Sequence, residues 1–107
     1  CHTGTQIFGA EDKGKVVSMA TLHVLPNITY GARPYALVEN VATHPDHQGK
    51  GWGRCVMAAV AQMAWDRDVY KIMLLTNQSR GARAFYEKLG YTADEKHGMV
   101  LRRGPAL

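Results

Sequence analysis

Glycines and polar side chains are concentrated in the segment from His44 to Arg54, which reads His-Pro-Asp-His-Gln-Gly-Lys-Gly-Trp-Gly-Arg. An apolar, β-branched run precedes this segment and a run of helical period follows it, so the pattern predicts a loop between a strand and a helix. Backbone N–H groups at the start of a helix have no intrahelical acceptor and lie at the positive end of the helix dipole. The segment therefore predicts a binding site for an anion, above all a phosphate.

The glycines at positions 49, 51 and 53 would let a bulky pyrophosphate approach the backbone, and Lys50 and Arg54 add positive charge. For glycines alone, a surface turn that binds nothing is the alternative. Two common phosphate fingerprints do not fit. The P-loop requires a Lys-Ser or Lys-Thr pair that is missing after these glycines, and the dinucleotide fingerprint requires a glycine where Arg54 stands.

The hexapeptide from Gln48 to Gly53 resembles the Gln/Arg-x-x-Gly-x-Gly/Ala signature of the GNAT superfamily of acyl-CoA-dependent N-acetyltransferases. The preceding residues 40–48 are similar to the family's strand into its pyrophosphate loop. Residues 84–91, Ala-Phe-Tyr-Glu-Lys-Leu-Gly-Tyr, are similar to its later cofactor helix and following strand. The resemblance covers Gln6 to Arg102, and it implies acetyl transfer from acetyl-CoA to a small-molecule or peptide amine by direct attack in a ternary complex.

The resemblance also implies roles for individual residues. Glu39, a carboxylate in an apolar strand, would be the general base, and burial there would raise its pKa. A solvent-facing or salt-bridged carboxylate is the alternative. Tyr86 would donate its proton to the departing CoA sulfur, whereas packing on the sheet is the alternative. The residues expected to bind acetyl-CoA are Val41, Ala42, Thr43, Gln48, Gly49, Lys50, Gly51, Trp52, Gly53, Arg54, Asn77, Ala82 and Tyr86.

The elements that position these residues follow from hydrophobic periodicity and turn signals. Predicted strands form an antiparallel meander over Gln6–Gly9, Lys15–Leu25 and Tyr35–Thr43. A helix from about Trp52 to Asp66 leads to a strand over Asp68–Thr76 that suits burial on both faces, which implies a right-handed crossover and a parallel pair. The remaining predicted elements are a helix over Ala82–Leu89, stopped by Gly90, and strands over Tyr91–Ala93 and Met99–Arg102.

The fold expected from these elements and the resemblance is α/β, of the α+β type. It is a GNAT-like mixed, mostly antiparallel sheet with a central splayed parallel strand pair and flanking helices. The 107 residues, with 46% hydrophobic and 21% charged content, suit one domain over residues 1–107. With exposed terminal strands, we expect a homodimer. The resemblance places Cys1 near the family's second strand, so the sequence is either a fragment or a naturally short domain, and a non-catalytic acyl-CoA-binding module is the alternative function.

Composition narrows the partners. No apolar run approaches the roughly 20 residues of a membrane span, and no signal-peptide pattern begins the sequence, so a cytoplasmic location is expected without a membrane partner. The net charge is +4, but the basic residues are scattered along the chain instead of forming a run, which favours CoA over nucleic acid as the anionic partner.

Histidines and cysteines predict no metal site. His44 and His47 lack a third ligand and are interpreted as loop residues. Cys55 lies on the apolar stripe of the predicted helix and is expected in the core, with a reactive thiol as the alternative. His23 and His97 are alternative bases or acceptor-site groups.

Overall fold

The computed structural model describes residues 3–104, apart from the side chain of Arg80. The chain forms two compact units, residues 1–74 and residues 75–107. The first unit contains a four-stranded sheet in the order β1-β2-β3-β4. Its elements are β1 (Thr5–Asp12), β2 (Lys15–Leu25), β3 (Tyr35–Thr43), α1 (Trp52–Asp66) and β4 (Ile72–Leu74), and the second unit contains α2 (Arg80–Lys88). The mixed, mostly antiparallel sheet with helices is confirmed, whereas the single domain stays a prediction.

Strands β1 and β2 form the predicted antiparallel hairpin. The connecting residues Lys13 and Gly14 have φ of 52° and 81°, which is typical of the type I′ turn whose twist matches a hairpin. Strand β1 is longer than the predicted Gln6–Gly9, because pairing continues past a bulge at Ala10 and Glu11 to the end of the strand. Asp12 is thereby ordered as the last residue of β1.

One face of the sheet is covered by α1, whose predicted bounds are confirmed. The residues buried between them are Val56, Met57, Val60 and Ala64 of the helix and Ala20, Leu22, Ala36 and Val38 of the strands. The expectation that Cys55 belongs to this core is wrong, since its side chain is exposed. The buried stripe follows Val56, Val60 and Ala64 at four-residue steps, and Cys55 lies about 100° around the helix from Val56.

Strands β3 and β4 pair in parallel over residues 36–38 and 72–74, as the strand–helix–strand pattern predicts. Strand β4 is shorter than the predicted Asp68–Thr76, and its side chains are half-buried instead of buried on both faces. The cause is the end of the preceding helix. Asp68 adopts a φ of 59°, and the Val69 N–H donates to the Ala64 carbonyl at 3.3 Å, so these two residues close the helix instead of opening the strand.

The second unit is built around α2. The helix begins two residues before the predicted Ala82, and Gly90, with a φ of 100°, ends it as predicted. The strands predicted over Tyr91–Ala93 and Met99–Arg102 are wrong, since both runs are irregular in the described chain. A strand requires a partner strand for its backbone hydrogen bonds, and neither short run has one. Met99 and Leu101 are instead almost fully exposed.

Candidate functional site

The loop between β3 and α1 contains two glycines whose backbone lies in the left-handed region. Gly49 has a φ of 75° and Gly51 a φ of 89°, which residues with a side chain rarely adopt. A Cβ atom added at either position would meet no other atom within 4 Å. These glycines are therefore required by backbone conformation, and no described residue fills the space beside them.

Helix α1 begins without a side-chain cap. Gly51 is its N-cap residue and offers no side-chain acceptor, and the first turn contains no acidic residue. The first helical hydrogen bond is donated by Cys55, so the N–H groups of residues 52–54 have no acceptor within the helix. Lys50 and Arg54 are exposed, and neither forms an ion pair within residues 3–104. Unpaired donors, the helix dipole and two free cations together suit an anion.

Hydrogen bonds to β2 and β3 hold this loop in place. The His44 N–H donates to the Val17 carbonyl of β2 at 2.7 Å, and the Gln48 side-chain amide donates to the Thr43 carbonyl at 3.1 Å. Gln48 is expected to bind the cofactor, but in this structure its side chain forms a hydrogen bond that closes the loop. The residues predicted to bind a pyrophosphate, Gln48 to Arg54, lie together on one continuous segment.

Strand β3 contains a bulge beside the point where its parallel pairing ends. Its pairing with β2 changes register between Glu39, opposite Thr21, and Ala42, opposite Met19. Asn40, inside the bulge, has a φ of 56°, which asparagine tolerates better than most residues. The described pairing with β4 stops at residue 38, although β3 continues for another five residues to position 43. The end of β3 therefore lacks a parallel partner in the described chain.

The backbone N–H groups after the bulge point in alternating directions. Because the His44 N–H donates to a carbonyl of β2, the period of two directs the Ala42 N–H toward β2 as well. The N–H groups of Val41 and Thr43 then face the unpartnered side. The Ser18 hydroxyl fixes this segment, lying 2.9 Å from the Thr43 hydroxyl and donating to the Ala42 carbonyl at 3.3 Å. Val41 and Thr43 are the residues whose amides a ligand could reach here.

Glu39 is exposed, so the expectation that this carboxylate is buried is wrong. The residues of β3 that face α1 are Ala36 and Val38, and alternation places Glu39 on the opposite face of the sheet. It lies directly opposite Thr21 of β2, whose side chain is buried. A catalytic role for Glu39 has to rest on its position beside the bulge instead of on burial.

Tyr86 lies on α2 in the second unit and is half-buried. Its ring centroid is 5.0 Å from that of Phe85 and 6.0 Å from that of Tyr91, both edge-on. Burial raises the pKa of Tyr86 above its ordinary value of 10.0, so the hydroxyl is protonated at neutral pH. Within residues 3–104 this hydroxyl forms no hydrogen bond. It is therefore free to donate one.

The other two predicted residues of this unit take part in the cap of α2. The Asn77 Oδ1 accepts the Ser79 N–H at 3.0 Å, and the Ser79 hydroxyl accepts the Ala82 N–H at 3.2 Å. The side-chain NH₂ group of Asn77 forms no further bond with the described residues. Both residues thus have a structural role, and Asn77 keeps one donor available.

The part of the chain that the structure describes contains neither a metal-binding cluster nor a membrane-spanning helix. No three or more His, Cys, Asp or Glu side chains converge there on a metal-binding geometry. Neither described helix is long and apolar enough to cross a bilayer.

Comparison with known proteins identifies the family. The family model for acetyltransferases (GNAT) matches residues 1–91. The chain belongs to the GNAT family. Glucosamine 6-phosphate N-acetyltransferase from Trypanosoma brucei brucei is 30% identical over 92 residues, which are 86% of this chain and 61% of that protein. The enzyme of the same description from Schizosaccharomyces pombe is 32% identical over 91 residues, 83% of this chain and 80% of that protein.

A solved GNAT-like structure agrees with this assignment. A protein from Agrobacterium tumefaciens str. C58, provisionally described as an acetyltransferase, is 41% identical, with a TM-score of 0.91. The match covers 95% of this chain and 71% of that one. The chain thus spans about three fifths to four fifths of the length of these relatives.

Two features of this GNAT chain are not among those that its sequence predicts. The bulge at Asn40 has a signal in hindsight, since an asparagine inside an apolar strand is a residue that accepts positive φ. The hydrogen bond of 3.1 Å between His47 Nε2 and Asp12 Oδ2 has none, because the two residues are 35 positions apart. Both features act on the backbone of the candidate site.

Proposed function

We propose that this chain transfers an acetyl group from acetyl-CoA to a primary amine by direct attack in a ternary complex. The observation that carries the proposal is the start of α1, where an uncapped helix follows two open glycines and lies beside the free cations Lys50 and Arg54. A pyrophosphate supplies the acceptors that these N–H groups lack and the negative charge that the dipole and cations favour. Gln48, Trp52 and Gly53 complete this segment.

The acetylpantetheine arm lies along the end of β3. There the N–H groups of Val41 and Thr43 donate to the acetyl carbonyl and the pantetheine amides, and Ala42 lies between them. Such donors stabilise the oxyanion that forms when the amine attacks. Asn77 and Ala82 are proposed as further contacts of the cofactor arm, and the side-chain NH₂ group of Asn77 forms no bond with the described residues. The unpartnered stretch beyond the bulge supports this placement.

Proton transfers accompany the reaction. The nitrogen lone pair of the amine attacks the thioester carbon, and the tetrahedral oxyanion collapses with cleavage of the carbon–sulfur bond. Glu39 accepts the proton of the amine through a water molecule, and the Tyr86 hydroxyl donates a proton to the departing thiolate. The protonated, unpaired phenol supports the second role. The position of Glu39 beside the bulge supports its role as the base.

The experiment is an acetyl-transfer assay with a panel of amines. Glucosamine 6-phosphate comes first, since two relatives are described as acetylating it, followed by aminoglycosides, polyamines, lysine peptides and peptides with free N-termini. CoA release is followed with a thiol-reactive dye. Because Cys55 is an exposed free cysteine, a blank without acetyl-CoA is subtracted to correct for labelling of the protein itself. Amine-dependent release supports the proposal.

A binding module without catalysis is the second candidate, and the exposure of Glu39 favours it. This function predicts acetyl-CoA binding in a calorimeter without turnover of any amine. The absence of acetyl-CoA binding itself contradicts both candidates. No nucleic-acid or membrane partner is part of either proposal, and a cytoplasmic location stays a prediction.

A homodimer is proposed for the assembly. In the first unit β1 forms one edge of the sheet, and the hairpin exposes Ile7 and Val16, whose exposed fractions are 70% and 63%. An apolar edge of this kind favours pairing with a second copy. Sedimentation velocity at micromolar concentration is expected to give twice the monomer mass of 11.8 kDa, and a stable monomer contradicts the dimer.

A further inference from the structure

A pair of half-buried polar side chains joins the glycine-rich loop to the β1–β2 hairpin. His47 ends the turn that immediately precedes Gln48, and Asp12 is the last residue of β1. The His47 Nε2 and the Asp12 Oδ2 are 3.1 Å apart, and the two side chains are 24% and 35% exposed. A hydrogen bond to a carboxylate at this depth is stronger than a surface ion pair, because solvent screens it less.

The imidazole of His47 has two aromatic neighbours as well. The ring of Trp52, the first residue of α1, lies edge-on to it at 6.1 Å, and the ring of His44 lies edge-on at 5.7 Å. The Nδ1 atom is buried and has no hydrogen-bond partner among the described residues. A protonated Nδ1 would bury an N–H without an acceptor, so the favoured tautomer carries its hydrogen on Nε2 and donates it to Asp12.

These contacts lie on both sides of the two glycines of the loop. His47 precedes Gly49 and Gly51, and Trp52 follows them, so a single imidazole touches the chain before and after the two glycines. Glycines lose more backbone freedom than other residues when they are ordered. A contact that already fixes their flanks in the free protein lowers the entropy that a ligand must remove on binding.

We propose that His47 is a positioning residue for the anion-binding loop. Through its bond to Asp12 and its contact with Trp52, it holds the backbone of residues 48–52 in the shape that binds the pyrophosphate of acetyl-CoA. The hairpin turn of β1 and β2 thereby contributes to donor affinity without touching the donor. This inference rests on the proposed function of the loop.

The test measures the binding of two ligands to the parent chain and to three full-length variants, which are His47→Ala, Asp12→Ala and the double variant. Acetyl-CoA affinity is measured by calorimetry, and affinity for pantetheine, which lacks the pyrophosphate, by NMR titration. Each single variant is expected to lower acetyl-CoA affinity about tenfold, and the double variant no more than either alone, because the two side chains act as one unit. Pantetheine affinity is expected to stay within about twofold of the parent, since pantetheine makes no contact with the loop.

A conservative variant and a matched pair serve as controls. His47→Gln keeps a donor near the position of Nε2 and is expected to recover most of the acetyl-CoA affinity. Arg33 and Asp68 form another side-chain bond of 3.1 Å, also 35 positions apart in sequence, at an exposed place in the first unit. Arg33→Ala is expected to leave both affinities unchanged. Melting temperatures are recorded for all variants, and binding is measured well below them.

Three outcomes overturn the inference. If both single variants, His47→Ala and Asp12→Ala, bind acetyl-CoA as tightly as the parent, the inference is contradicted and the proposed function is not. If a variant loses the same affinity for acetyl-CoA and for pantetheine, the pair has a general structural role, and the inference is again contradicted. A parent chain that does not bind acetyl-CoA contradicts the proposed function and the inference together. Should His47→Ala fail to fold, Asp12→Ala, altered at the end of the hairpin, decides between the same outcomes.

Discussion

Helices α1 and α2 begin in opposite ways. Helix α2 begins after Ser79, whose hydroxyl accepts the Ala82 N–H, and Asn77 accepts the N–H of Ser79 itself. Helix α1 begins after Gly51, which has no side chain, and its first turn contains no acidic residue. At the start of α2 the chain itself supplies an acceptor for one of the free donors, the Ala82 N–H. At the start of α1 the N–H groups of residues 52–54 have no acceptor in the described chain.

The difference shows where the chain gives up stability. A serine N-cap is worth about 1 kcal/mol relative to alanine but only about a few tenths of a kcal/mol relative to glycine, and glycine adds further conformational entropy to the unfolded state. A helix that contributes Val56, Met57, Val60 and Ala64 to the core would benefit from a cap. An open start is consistent with a ligand that supplies the missing acceptors, and this expectation can be tested at each helix separately.

Replacing Gly51 with aspartate should have the largest effect. The substitution puts a negative charge where the pyrophosphate is proposed to bind, so we expect acetyl-CoA affinity in a calorimeter to fall about a thousandfold. Gly31→Asp is the matched control, because Gly31 also has positive φ and open space around it and therefore incurs similar strain. Equal affinities for the two variants would contradict the proposed site.

Tyr86→Phe tests whether α2 contributes chemistry instead of anion binding. Phenylalanine keeps the ring contacts with Phe85 and Tyr91 but removes the proton donor. We expect kcat to fall about a hundredfold while acetyl-CoA affinity is unchanged. Because burial raises the pKa of Tyr86, its proton is present below the ordinary value of 10.0 and is lost only at higher pH. Unchanged single-turnover rates in the variant would exclude this role.

Glu39→Gln tests whether the exposed carboxylate of Glu39 is the base, as Tyr86→Phe tests whether the half-buried phenol is the acid. A base matters most where the free amine is scarce, so we expect turnover to fall about tenfold at low pH and less at high pH. The pH dependence of kcat/KM measures this change. A profile parallel to that of the parent would assign the proton transfer to another group.

The smallest effect is expected at the capped helix. Ser79→Ala removes the acceptor of the Ala82 N–H, and we expect the free energy of unfolding to fall by about 1 kcal/mol. Urea denaturation followed by circular dichroism measures the loss. Ser79→Asp, which preserves an acceptor at the N-cap, should retain the stability. A Ser79→Ala variant as stable as the parent would show that the cap contributes little and weaken the contrast with α1.

Local patterns in the sequence predict the elements around the candidate site well. The bounds of β2, β3 and α1 agree with the predicted ones, because the apolar period is long in each and Pro45 and the glycines of the loop mark the ends. The last two predicted strands are wrong because strand formation depends on a partner that short runs such as Tyr91–Ala93 do not specify.

Exposure in the candidate site was harder to predict than its location. The predicted burial of Cys55 and of Glu39 is wrong. In each case burial depends on which of two adjacent residues faces the core, so a shift of one position turns a buried side chain into an exposed one. The bond between Asp12 and His47 requires the register of the hairpin and the shape of the loop at once. Neither is encoded within a short stretch of sequence.

The most direct measurement follows the backbone amides at the start of α1. In a ¹H–¹⁵N NMR titration with acetyl-CoA, we expect the amide protons of residues 52–54 to shift downfield and to be protected from hydrogen exchange, because they gain charged acceptors. Pantetheine, which lacks the pyrophosphate, should leave them unchanged. If acetyl-CoA binds and these three amides neither shift nor become protected, the claim that the open start of α1 holds the pyrophosphate is contradicted.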